Sequence, residues 1–169
     1  MHNLDTVFLD RDGVINKKLE GRYVRDFSEF EFMAGAIDAI SKLSHKFNRI
    51  IIVTNQQGIG KEIMSDADLD LLHTKMEEKI EQSGGKINKI YYCPHLKELD
   101  CLCRKPRSGM IEQALLDFPE IVLEDSYLIG DSDSDIEAGK RMNLRTIKVD
   151  NEYTLSKWTS ELLLISNIF

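Results

Sequence analysis

Residues 6–16 read TVFLDRDGVIN, an apolar, β-prone run from Thr6 to Leu9 that stops on Asp10, Arg11, Asp12 and Gly13. Such a near-continuous apolar run suits an interior strand of a parallel sheet covered on both faces. Reading outward, the same arrangement returns along the chain. Ile50–Val53 runs into Thr54-Asn55-Gln56, Ile87–Tyr92 into Cys93 and His95, and Tyr127–Ile129 into Asp131, while Thr146–Val149 forms a further strand-like run.

Helical spacing fills the intervals. Ala36, Ile37, Ile40, Leu43 and Phe47 share one face, and so do Leu69, Leu72, Met76 and Ile80, with Ser65 placed to cap the second helix. Ile111, Leu115 and Phe118 mark another helix, Ile136–Met142 the next, and Leu155–Ile165, with Trp158, a last one packed on the sheet. The alternation predicts a three-layer, Rossmann-like α/β fold with a parallel sheet and helices on both faces, read as one domain over residues 1–169. Ligands of such folds bind beyond the carboxyl ends of the strands. The unusual residues of four segments all fall there.

Asp10 and Asp12 are two apart, so an extended chain can turn both to one side. With Asp131 brought beside them they would repel strongly without a cation. Mg²⁺ suits such carboxylates and bridges to phosphate oxygens. One carboxylate can then attack phosphorus while the other moves protons to and from the leaving alcohol and water. Thr54 and the loop Asn55, Gln56 and Gln57 offer neutral donors to a phosphoryl group, Lys105 a fixed charge, and Arg104 a fork for a second anionic group. Taken singly, each motif also fits a turn or a solvated acidic pair. Their common placement at strand ends points to a site.

DRDGVIN, the TNQ after an apolar strand, the lysine of CRKP and GDSDSD resemble the four motifs of the haloacid dehalogenase superfamily of phosphohydrolases, from about Thr6 to Val149. The resemblance implies Asp10 as nucleophile and Asp12 as general acid/base. It implies Thr54 and Lys105 as holders of the phosphoryl group. Mg²⁺ would be bound by Asp10, the backbone carbonyl of Asp12 and Asp131, with Asp135 a supporting carboxylate.

All three cysteines lie between Cys93 and Cys103. Cys93-Pro-His95, five residues, then Cys101-Leu-Cys103 makes a Cys₃His set that suits a structural Zn²⁺ better than a disulfide framework. Zinc in the 93–103 loop would hold the adjacent Arg104 and Lys105 against the phosphate. His2, His45 and His73 have no such company and read as surface residues.

The CPH…CLCRKP combination narrows the resemblance to the group that contains the D-glycero-D-manno-heptose 1,7-bisphosphate 7-phosphatases and the histidinol-phosphate phosphatases. Tyr23-Val24 and Gly109-Met110 look like the heptose enzymes, whereas the short loop between His95 and Cys101 is closer to the histidinol phosphatases. The resemblance thus implies a small phosphorylated metabolite, a heptose bisphosphate first and histidinol phosphate as the alternative. Two rivals share part of the pattern, a polynucleotide 3′-phosphatase and a zinc-containing phospho-acceptor module. The second aspartate is awkward for the module, because a lasting phospho-signal needs no general acid.

The 41 residues between Asp12 and Thr54 and the 50 between Thr54 and Lys105 leave no room for a folded cap. The loops 16–23 and 93–103 must then shape the pocket, where Lys17, Lys18, Arg22 and Arg25 can meet a second phosphate. A net charge of −7 and the absence of a basic, aromatic-studded strand argue against a nucleic-acid partner. The apolar runs are too short for a bilayer and no secretion signal opens the chain. The expectation is a cytoplasmic monomer.

Overall fold

The computed structural model describes residues 4–166. Five parallel strands form one sheet in the order β3-β2-β1-β4-β5, with β1 at Leu4–Leu9, β2 at Phe47–Asn55, β3 at Lys89–Cys93, β4 at Tyr127–Gly130 and β5 at Arg145–Lys148. The helices are α1 (Ala36–Lys46), the single turn α2 (Gln57–Gly60), α3 (Asp66–Gln82), α4 (Gly109–Asp117), α5 (Asp133–Arg141) and α6 (Leu155–Ser166). No helix among the described residues is long and apolar enough to cross a membrane.

Alternate strand residues feed two separate cores. Val7, Leu9, Ile50, Ile52 and Ile129 pack with Ile40 and Leu43 of α1, Leu72, Met76 and Ile80 of α3, and Trp158 of α6. Phe8, Ile51, Val53 and Leu128 pack on the opposite face with Met110, Ile111 and Ala114 of α4 and Ala138 of α5. Both faces are covered, which is why the strands read as unbroken apolar runs. The segment between β1 and β2 holds only loops and α1, so the fold has no cap.

Several boundaries differ from the sequence expectation. Phe47 is extended (φ −109°, ψ 148°) and pairs with Leu4 as the first residue of β2, because its core position is reached from the strand as well as from α1. Thr54 and Asn55 lie within β2, not after it, paired with Tyr92 and Cys93. The α5 helix starts at Asp133, ahead of its apolar stripe, because Ser132 and Asp135 form a reciprocal capping box. His2 lies outside the described residues.

Register brings the strand ends level. Leu9 pairs with Ile52 on one side and with Ile129 on the other. Asp10, Val53-Thr54 and Gly130-Asp131 therefore leave the sheet side by side. The chain runs outward in both directions from β1, so Asp10 sits at the switch point where an open α/β sheet binds its ligand.

Candidate active site

Asp10 continues β1 by one more bond, its N–H donating to the Ile129 carbonyl at 3.0 Å, and its side chain is buried. Lys105 reaches it from the loop before α4. The ammonium donates to Asp10 Oδ1 at 2.9 Å and the Val53 carbonyl at 2.7 Å, and lies 2.6 Å from Asp135 Oδ1. Burial opposes the Lys105 charge, but Asp10 and Asp135 outweigh it and keep its pKa above the ordinary lysine range. Its backbone is fixed from β2, where Asn55 Oδ1 accepts from the Lys105 N–H and Asn55 Nδ2 donates to the Lys105 carbonyl.

Asp135 is held by its own helix cap, Oδ2 accepting from the Ser132 hydroxyl and N–H at 2.8 and 3.0 Å. Ligand oxygens of Asp10, Asp131 and Asp135 lie within 4.8 Å of one another. Burial drives the Asp10 carboxyl upward and Asp135 adds to that, with Lys105 only partly offsetting them. Asp131 Oδ1 is buried without a hydrogen-bond partner, and Lys18 places its ammonium 3.0 Å from Oδ2. Three crowded carboxylates, an orphaned oxygen and an exposed lysine standing in as a cation fit a hard divalent ion with oxygen ligands. Gly13 makes the space: its φ is +86°, and a Cβ there would lie 2.4 Å from Asp131 Oδ2.

The Asp12 side chain lines the same cavity and is held by three neighbours. Oδ1 accepts from Arg11 Nη2 and Asn16 Nδ2, both at 2.9 Å. Oδ2 accepts from Arg11 Nη2 and Gln56 Nε2, both at 3.0 Å. Burial pushes the Asp12 carboxyl up, but the Arg11 charge and these bonds outweigh it and leave its pKa below the usual carboxylate range. Gln56 also donates to Thr54 Oγ1 at 2.9 Å, linking Asp12 to β2.

The remaining expected residues divide between the pocket and its scaffold. A cavity of about 270 Å³ is lined by Asp10, Asp12, Lys18, Arg22, Arg104 and Lys105, among others. Arg104 is half-buried with Nη1 unpartnered, a donor free for an anionic group. Gln57 lines the cavity, with Asn55 and Gln56, and also ties two loops together. Its amide donates to the Tyr23 hydroxyl at 3.1 Å and accepts from the Lys97 N–H at 2.9 Å, joining the 16–25 loop to the cysteine loop. All four loop cations have carboxylate partners, Lys17 with Glu31, Lys18 with Asp131, and Arg22 and Arg25 with Glu29, and of the four Lys18 and Arg22 line the cavity.

Cys93, His95, Cys101 and Cys103 converge as expected. His95 Nδ1 lies 3.2 Å from Cys103 Sγ and 3.6 Å from Cys93 Sγ, and Cys101 Sγ lies 3.5 Å from Cys93 Sγ. Three thiols around one imidazole nitrogen are a soft donor set that suits tetrahedral zinc.

Sequence reasoning missed Arg11, Asn16 and His73. The expectation of a surface His73 is wrong: its residue is 5% exposed and its Nε2 lies 3.2 Å from Arg11 Nη1. The signal was present, since His73 falls on the Leu69-Leu72-Met76-Ile80 stripe of α3. Arg11 is fully buried and no apolar pattern marks it.

A family model described as HAD-hydrolase-like matches residues 102–162. The D-glycero-alpha-D-manno-heptose-1,7-bisphosphate 7-phosphatase of Photorhabdus laumondii is 37% identical, over 99% of this chain and 95% of its own length. The chain belongs to the haloacid dehalogenase-like phosphatases. A second relative of this phosphatase, the D-glycero-beta-D-manno-heptose-1,7-bisphosphate 7-phosphatase of Pseudomonas putida, is 35% identical, covering 94% of this chain and 91% of its own. Among solved structures, the D,D-heptose 1,7-bisphosphate phosphatase of B. bronchiseptica, complexed with magnesium and phosphate, superposes with a TM-score of 0.87 at 27% identity, covering 95% of this chain and 99% of its own. The phosphatase thus combines a buried carboxylate at a strand end, a buried ammonium and two further carboxylates close by, groups whose chemistry suits phosphoryl transfer.

Proposed function

We propose that this phosphatase hydrolyses the 7-phosphate of D-glycero-D-manno-heptose 1,7-bisphosphate. The observation that carries the reading is the match along nearly the whole chain to the Photorhabdus enzyme, which supports a heptose bisphosphate over histidinol phosphate. Arg104, Arg22 and Lys18 on the cavity wall supply positive charge for the second phosphate, so a bisphosphate suits the cavity better than a substrate with one anionic group.

In the proposed reaction Asp10 attacks phosphorus with the oxygen not committed to Lys105, and an aspartyl-phosphate forms as the ester P–O bond breaks. Asp12 gives its proton to the departing sugar oxygen. It then takes a proton from the water that displaces phosphate from Asp10, so both carboxylates return to their starting states. The bonds on Asp12 favour its ionised form, suited to the second step. It serves as acid by taking up a proton from solvent as the substrate's anionic charge arrives, and the proton it gains from water in the second step returns to solvent as phosphate leaves. Lys105 and the Thr54 hydroxyl hold the phosphoryl oxygens in line.

Asp10, Asp131 and the Asp12 backbone carbonyl would hold Mg²⁺, which supplies charge neutralisation at the phosphoryl oxygens when bound. Cys93, His95, Cys101 and Cys103 would hold a structural Zn²⁺, and residues 1–169 act as a single domain. Phosphate release from heptose 1,7-bisphosphate, histidinol phosphate and a 3′-phosphorylated oligonucleotide, each with Mg²⁺, tests the reading. The heptose should give the highest kcat/KM, and a preference for either rival overturns the assignment.

A further inference from the structure

We infer that His73 is a positioning residue for the reaction: its Nε2 accepts a hydrogen bond from Arg11 Nη1 and thereby sets the guanidinium that aims Asp12. The inference rests on the reading of Asp12 as acid/base.

Arg11 is fully buried, and its side chain stands between α3 and the loop that follows β1. One edge grips Asp12, with Nη2 at 2.9 and 3.0 Å from its two oxygens. The guanidinium carbon lies 5.9 Å from the Phe30 ring centroid, and Nε has no partner. His73, 62 residues away in sequence, therefore supplies the second polar anchor that fixes the rotation of the group. Without it Nη1 would join Nε as a buried donor lacking an acceptor, a costly state that the guanidinium relieves by turning. Turning breaks the grip on Asp12 and leaves Asn16 and Gln56 to hold the carboxylate.

The chemistry of the pair sets the tautomer. A guanidinium only donates, so Nε2 must be the bare nitrogen and Nδ1 must carry the proton. A doubly protonated ring would oppose donor to donor. Burial, and then the charge of Arg11, hold the His73 pKa down at about 3, so the ring stays a neutral acceptor at working pH. His73 does not line the cavity, and Arg11 stands between it and Asp12, so its influence passes through Arg11.

The test compares leaving groups. A sugar alkoxide needs a proton as it leaves and p-nitrophenolate does not. His73→Leu, or His73→Phe if the leucine variant does not fold, should lower kcat/KM, which reports the steps up to departure of the leaving group, by about ten-fold on heptose 1,7-bisphosphate while changing it by less than about two-fold on p-nitrophenyl phosphate. His73→Gln keeps an amide acceptor and should restore most of the loss. Equal losses on both substrates, or none on either, overturn the inference. Asp12→Asn is run in parallel: if it shows no leaving-group dependence, the reading of Asp12 fails. If Asp12→Asn shows it and the His73 variants do not, only the role of His73 fails. Nitrogen-15 spectra of the folded wild-type protein give an independent check. They should show His73 protonated at Nδ1, and protonation at Nε2 excludes the bond on which the inference stands.

Discussion

Asp10 and Lys105 share a hydrogen bond whose charge balance is sensitive to one atom. Asp10→Asn keeps the shape but replaces a nucleophilic, cation-binding oxygen with an amide, and it leaves the buried Lys105 with Asp135 as its sole carboxylate partner. On the proposed mechanism kcat should fall by about 10⁴-fold or more, and single-turnover phosphate release is the measurement. Retention of a tenth of the activity would place the nucleophile elsewhere. His73 gives a second prediction, on stability. Its folded pKa of about 3 lies below its ordinary 6.5, so between these values the unfolded chain binds the extra proton. Stability from this group is complete above pH 6.5 and declines as the pH falls toward 3, by up to about 1.4 kcal/mol per pH unit. Chemical denaturation at pH 7 and pH 5 should therefore show a smaller acid loss in His73→Gln than in the wild type, and an equal loss would contradict the buried neutral ring.

At the scale of elements, the site is assembled by β1, β2 and β4 and finished by the cysteine loop. That loop carries no regular structure between β3 and α4 beyond one 3₁₀ turn at Lys97–Leu99, so side chains must order it. With zinc as that tie, Cys101→Ser should lose the metal, lower the melting temperature and raise KM through misplacement of Arg104 and Lys105, and added Mg²⁺ should not rescue it. Elemental analysis and steady-state kinetics decide. Loss of zinc with wild-type kcat and KM would show that the loop orders itself. The elements themselves were readable, because buried parallel strands have few residue choices and each helix shows its stripe. The convergence of Asp10, Asp131 and Lys105 and that of the Cys₃His set were also legible, the first from strand ends and motif resemblance and the second from the clustering of every cysteine in one loop. The partners that aim them were not. Arg11 is charged and lies in a turn, so nothing local says that it is buried. Gln56 and Gln57 look like phosphate donors by position and do line the cavity, but nothing in their sequence shows that their amides also bond Asp12, Thr54 and Tyr23. Such assignments depend largely on contacts between segments distant in sequence, 44 residues apart for Gln56 and Asp12 and 34 for Gln57 and Tyr23.

For the molecule as a whole, a net charge of −7 surrounds a cavity whose wall carries Lys18, Arg22, Arg104 and Lys105. The same wall carries Asp10, Asp12, Asp131 and Asp135, so the cations of the cavity stand beside an equal set of carboxylates. The 16–25 loop lines this cavity, and Gln57 joins it to the cysteine loop. The proposal as a whole is that this chain removes one particular phosphate of a heptose bisphosphate by means of Asp10. Phosphorus-31 NMR of heptose 1,7-bisphosphate during turnover tests that most directly. With wild-type protein and Mg²⁺ the 7-phosphate resonance should disappear as inorganic phosphate grows, with the anomeric phosphate unchanged. Chelator should stop the change, added Mg²⁺ should restart it, and Asp10→Asn should leave both resonances intact. Loss of the anomeric phosphate, or continued turnover by Asp10→Asn, would contradict the account.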